Sequence, residues 1–137
     1  MDQGERSHLK GAPGALRPPA EKKVRGLRGA IDVAENTAAA ILAATEDLLR
    51  EIVTRNKLGV EDIISAIFTV TPDLNAAFPA AAARRLGWKE AALMCATEIP
   101  VPDSLAMIVR VLIHAYSDHE PVHVYLGRAG ELRPDLR

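Results

Sequence analysis

The chain has 137 residues, enough for one domain, and 48% of them are apolar, enough for a real core. Its 17 Lys and Arg are balanced by 18 Asp and Glu, so it lacks the basic excess of a dedicated nucleic-acid binder. A single cysteine, Cys95, excludes an internal disulfide and a paired-thiol metal or redox centre, and no run approaches the ~20 apolar residues of a membrane span.

Residues 1–22 mix Gly4, Gly11, Pro13, Gly14, Pro18 and Pro19 with charges. Without an apolar run this reads as a flexible N-terminal tail, not a signal peptide, and the folded domain is expected over 23–137. KVRGLRGAIDV, from Lys23, alternates like a strand. Val24, Gly26, Arg28 and Ala30 share one face, so Arg28 stands between two very small neighbours with room beside its guanidinium. Over residues 36–57 the spacing predicts a helix. Asn36 or Thr37 caps it, its stripe is Ile41, Leu42, Thr45, Leu48, Leu49, Ile52 and Val53, and Gly59 is its stop signal.

IISAIFTV (63–70) reads as a buried strand closed by the turn Thr71-Pro72-Asp73. Pro79 opens a short alanine-rich helix, Gly87 follows it, and residues 88–97 read as a strand. Arg84 and Arg85 suit the helix C-terminus, where the dipole favours cations. SLAMIVRVLIHAY, from Ser104, is apolar nearly all round and is predicted to be a buried helix. Arg110 in its middle then needs a fixed anion, since an unpaired buried guanidinium is very costly and cannot shed its proton. A structural salt bridge is the commoner answer to that need. Residues 122–126 read as a strand, 127–130 as a hairpin turn, and a last strand follows. The sum is an α+β fold, a mixed β-sheet packed with helices.

Few residues are left that carry chemistry. Glu98, at a strand end in CATEIPVP, is placed to accept a hydrogen bond from a ligand hydroxyl, although a loop carboxylate is the ordinary case. Tyr125 shares a face with His123 and offers a phenol. Cys95 lacks an activating histidine in sequence and reads as a small strand residue. His119-Glu120-Pro121-Val122-His123 fits the zinc-protease pattern, but that chemistry needs both imidazoles on one helix face and Pro121 opposes a helix. No metal site is expected. The arginines, one glutamate and one tyrosine suit a small anion without naming a reaction.

The segments VRGLRGA (24–30), TPDLNAAFPAAAARRLGW (71–88), MCATEIPV (94–101), IVRVLIH (108–114), HVYLGRA (123–129) and LRPDL (132–136) resemble, in one collinear order, the monofunctional chorismate mutases of the Bacillus type. The resemblance implies a trimeric pseudo-α/β barrel in the cytoplasm. It also implies conversion of chorismate to prephenate without a cofactor, in clefts between subunits of a homotrimer. By motif, it assigns a substrate carboxylate to Arg28, the ether oxygen to Arg110, and the substrate hydroxyl and ring to Glu98. Tyr125 matches a tyrosine on a carboxylate, and Phe78 and Arg84 match a wall and a cation at the cleft mouth. Cys95 matches a cysteine beside the ring, and Arg133 a C-terminal arginine that helps close the site. The family often carries a lysine where this chain has Ala81. Three rivals stay open on sequence alone: a non-enzymatic carboxylate-binding trimer, another small trimeric α+β enzyme such as an imine deaminase, and a purely structural salt-bridge network.

Overall fold

The computed structural model describes residues 21–136; the expected tail therefore lies, except for Glu21 and Lys22, outside the described residues. Five strands form one mixed sheet in the order β3-β2-β4-β1-β5. They are β1 (Lys23–Asp32), β2 (Ile63–Val70), β3 (Ala92–Thr97), β4 (Ile108–Ser117) and β5 (Val124–Leu126). The central strand β4 runs antiparallel to both neighbours, β1 and β2, while β5 is parallel to β1 and β3 is parallel to β2.

Helix α1 (Ala38–Arg55) begins where the Thr37 hydroxyl accepts the Ala40 N–H at 3.1 Å. All of its predicted stripe is buried except Val53, which is partly exposed. The stop lies earlier than expected. Asn56 closes the last turn and Lys57 takes the left-handed backbone at φ 54°, whereas Gly59 is extended. Helix α2 (Ala80–Arg85) follows Pro79, and Gly87, at φ 89°, turns the chain out of it as predicted.

Both helices lie on one side of the sheet. Leu48, Leu49 and Ile52 of α1 pack with Leu27, Phe68, Val111, Ile113 and Val124 in one core. Gly29 makes that approach possible. A Cβ there would sit 2.7 Å from Ile52 Cδ1 and 3.0 Å from the Val124 carbonyl. Among the described residues no α-helix covers the other face: the segment carrying Ala129 and Leu132 buries Ala30 and Ile108 there, while Val24, Ile67, Met94 and Tyr116 are exposed.

Two further sequence expectations fail. The predicted helix from Ser104 is strand β4, with Val111, Ile113, Ala115 and Ser117 buried toward the helices and Arg110, Leu112, His114 and Tyr116 more exposed. Four β-branched residues between Ile108 and Ile113 favour a strand with partners on both edges, and that tertiary setting decides an apolar run that period alone cannot. Ser104 caps no helix; its hydroxyl donates to the Val101 carbonyl at 2.7 Å inside a loop. The hairpin over 127–130 and its second strand are also absent. Gly127, at φ 56°, leads instead into a 3-10 helix, Gly127–Leu132, held by Asp32 Oδ1 accepting the Arg128 N–H at 3.0 Å.

Candidate active site

Because Arg110 lies on a strand, it is not buried in a helix. It stands on the open sheet face, with Ala30 of β1 and Thr69 of β2 as its neighbours across the ladder. Arg28 lies on the same face opposite Leu112. The room predicted beside it is real: a Cβ at Gly26 would meet only Leu112 Cδ1, at 4.0 Å. Arg28, Ile67, Thr69, Arg110, Leu112 and Tyr125 line a cavity of about 290 Å³.

Glu98 follows β3, fixed by its N–H on the Val70 carbonyl at 2.8 Å. Its carboxylate accepts the Thr69 hydroxyl, and Oε2 lies 3.2 Å from Arg110 Nε. That contact is an ion pair without hydrogen-bond alignment, since Arg110 Nε is buried yet has no aligned acceptor. The arginine side chain is nevertheless 43% exposed, so its accessible part is not Nε. A second cavity of about 420 Å³ shares Arg110 with the first, is lined also by Glu98, and continues under the loop carrying Ile99, Ser104 and Leu105.

The root of that loop is tied to β4. Asp73 accepts the Met107 N–H with both oxygens, at 3.2 and 3.1 Å, where Met107 has φ 60°. The Thr71 hydroxyl donates to Asp73 and accepts the Ile108 N–H at 3.0 Å. These bonds fix the start of β4 two residues before Arg110.

On the other side of the cavity, Arg133 donates to both oxygens of Asp135, at 3.1 and 2.9 Å, and lies within reach of the Tyr125 phenol. This guanidinium holds the Asp135 carboxyl below the usual carboxylate range. His123 lies beside the same charges. Burial, and then the positive fields of Arg28 and Arg133, pull its imidazole below the ordinary histidine value, which keeps it neutral at neutral pH.

Five sequence-predicted residues thus converge: Arg28, Arg110, Glu98, Tyr125 and Arg133. Phe78 and Cys95 share a different cavity, of about 380 Å³, with Val70, Leu74 and Pro79. Cys95 pairs with Phe68, a core residue on the helix side, so within one chain it faces away from Arg110. Arg84 lines a further cavity with Trp88, Lys89 and Leu93. The His119–His123 segment is irregular, not helical; His119 Nε2 lies 3.4 Å from Asp118 and His123 is directed at the Arg28 backbone. Sequence reasoning missed Thr69, Thr71, Asp73 and Asn56. Thr69 had a signal, being the polar member of the IFTV alternation on the Arg110 face.

A five-stranded mixed sheet with α-helices on one side, and arginines, a glutamate and a tyrosine gathered on the other, defines a small α+β protein with a site whose charges suit a small anion. Residues 24–136 match the chorismate mutase type I family. The chain is 47% identical over 117 residues to "Chorismate mutase AroH" of Thermus thermophilus, covering 82% of this chain and 96% of that one. It is 38% identical over 117 residues to the protein of the same name in Bacillus subtilis (strain 168), covering 82% and 92%. A solved structure, a chorismate mutase from Clostridium thermocellum, superposes with a TM-score of 0.77 at 50% identity, covering 78% of this chain and 98% of that one. The chain belongs to the chorismate mutase type I family: it is an isomerase acting in aromatic amino acid biosynthesis.

Proposed function

We propose that the chain rearranges chorismate to prephenate in a cleft completed by a second copy of itself, within a cytoplasmic homotrimer, and that Arg28, Arg110 and Glu98 do the work. The observation that carries this reading is that Arg28, Arg110 and Tyr125 line one open-faced cavity while Glu98, ion-paired to Arg110, lines the adjoining one. Two further facts support a shared cleft. Phe78 and Cys95 line a cavity on the other side of their own sheet, and the Arg110 face exposes Val24, Ile67, Met94 and Tyr116 to solvent in a lone chain.

The rearrangement is pericyclic. The ether carbon–oxygen bond of chorismate breaks as a carbon–carbon bond forms between the enolpyruvyl methylene and the ring, with no net proton transfer. The protein has two tasks. One is to hold the flexible side chain over the ring, for which Arg28, Tyr125 and Arg133 gripping carboxylates are suited, since guanidinium forks fix orientation as well as charge. The other is to stabilise negative charge growing on the ether oxygen. Arg110, held by β4 and by Glu98, is a preorganised cation for that oxygen, and a donor of this kind is typically worth about 3–4 kcal/mol. Glu98 in turn favours positive character on the ring.

Purified protein mixed with chorismate tests the reading. Loss of chorismate absorbance with stoichiometric prephenate supports it. Saturable binding without turnover would instead make the chain a carboxylate-binding module.

A further inference from the structure

Strand β1 is laddered to β4 along its length, but on its β5 edge the Arg28 N–H is held by a side chain and not by a strand carbonyl. Strands β1 and β5 pair in parallel from Gly29↔Val124 to Ile31↔Leu126. One rung further back, the Arg28 N–H would take the Val122 carbonyl. That carbonyl is already engaged: the Asn56 side-chain amide donates to it at 2.9 Å, and Asn56 Oδ1 accepts the Val122 N–H at 2.7 Å. Asn56 is fully buried at the end of α1, and its amide also donates to the Ile52 carbonyl at 2.9 Å, so its position is fixed. The Arg28 N–H donates instead to His123 Nδ1, at 3.0 Å.

We infer that His123 is a positioning residue for the carboxylate-gripping Arg28: its unprotonated Nδ1 replaces the missing ladder carbonyl and sets the strand at the point where the guanidinium departs. Asn56 displaces the rung, and His123 restores it with a ring that must carry its proton on Nε2. The charged and titratable groups around the ring are Arg28 on β1, Tyr125 on β5, and Arg133 with its partner Asp135 after the 3-10 helix. The two guanidiniums disfavour imidazolium, which fits a ring required as an acceptor. Protonation would turn Nδ1 into a donor facing a donor and free the Arg28 N–H on the β5 edge of the strand.

The kinetic test rests on the chorismate reading of the site; a spectroscopic one does not. In the intact protein, nitrogen NMR of the imidazole should show Nδ1 unprotonated and Nε2 protonated near neutral pH. An Nδ1–H tautomer would overturn the proposal whatever the substrate. With chorismate, His123→Leu keeps side-chain bulk without the acceptor and should raise KM about five- to tenfold, the scale of one hydrogen bond, with kcat changed less. His123→Asn places Oδ1 where Nδ1 was and should restore KM. The wild-type KM should also rise as the ring titrates, below the ordinary histidine range, while that of the Asn variant stays flat. A Leu variant with wild-type KM, or an acid limb that persists in the Asn variant, would refute the role. Absence of turnover in the wild type would count against the chorismate reading and leave the NMR result to decide for His123.

Discussion

Arg110 carries the largest energetic demand on any one side chain in this account, and its setting separates charge from shape. A neutral isostere, citrulline at position 110, keeps the planar fork and removes the cation. Turnover should fall roughly a hundredfold to a thousandfold, with KM changed much less, in steady-state kinetics on folded protein. Near-normal turnover would remove Arg110 from its assigned place. Legibility at this scale followed sequence distance. Arg28 between Gly26 and Ala30 could be read from neighbours alone. His123 could not, since its partner lies 95 positions away, nor could Asn56, which reaches Val122 across 66. Side chains that act on remote backbone leave no periodic trace.

Elements with one buried face were legible. The stripe of α1 and the alternation of β1 both follow from burial on a single side, and Thr37 capping follows from local chemistry. Strand β4 was not legible, because its run of apolar residues, broken only by Arg110 before His114, reads equally as a central strand and as a buried helix. The contact between α1 and β1 turns on Gly29. Gly29→Ala should destabilise the fold by about 1–3 kcal/mol in denaturant titration, since the added methyl meets Ile52, Leu48 and the Val124 carbonyl at once. Unchanged stability would mean that α1 can move freely off the sheet. At the foot of β1, Lys22 Nζ lies 2.8 Å from Asp62 Oδ1, and this bond holds the Asp62 carboxyl below its usual value. A depressed carboxyl stabilises the fold fully above its unfolded value of about pH 4 and loses that contribution as pH falls through its folded value. Asp62→Asn keeps an oxygen for the Gly59 N–H, which donates at 2.8 Å, and loses the charge. Its melting midpoint should lie below wild type at pH 7, and the gap should close below about pH 4. A gap independent of pH would show that charge is not the cause.

For the whole molecule, the proposed cleft lies open in a single chain. Arg28, Arg110 and Glu98 look out from the face opposite α1 and α2, Phe78 and Cys95 line a separate cavity, and among the described residues no helix is long and apolar enough to cross a membrane. Periodicity cannot count subunits, so the expected assembly rests on family resemblance alone. A site built from two copies makes a distinctive demand on mixed assemblies. Arg110→Ala and Cys95→Asp, each confirmed by sedimentation as a folded oligomer, should be almost inactive alone. Unfolded and refolded together in equal amounts, they should regain up to about a quarter of wild-type turnover, because random assembly places an intact face against an intact neighbour at that frequency. Mixed oligomers that form yet stay inactive would contradict a shared cleft and place the whole reaction within one chain.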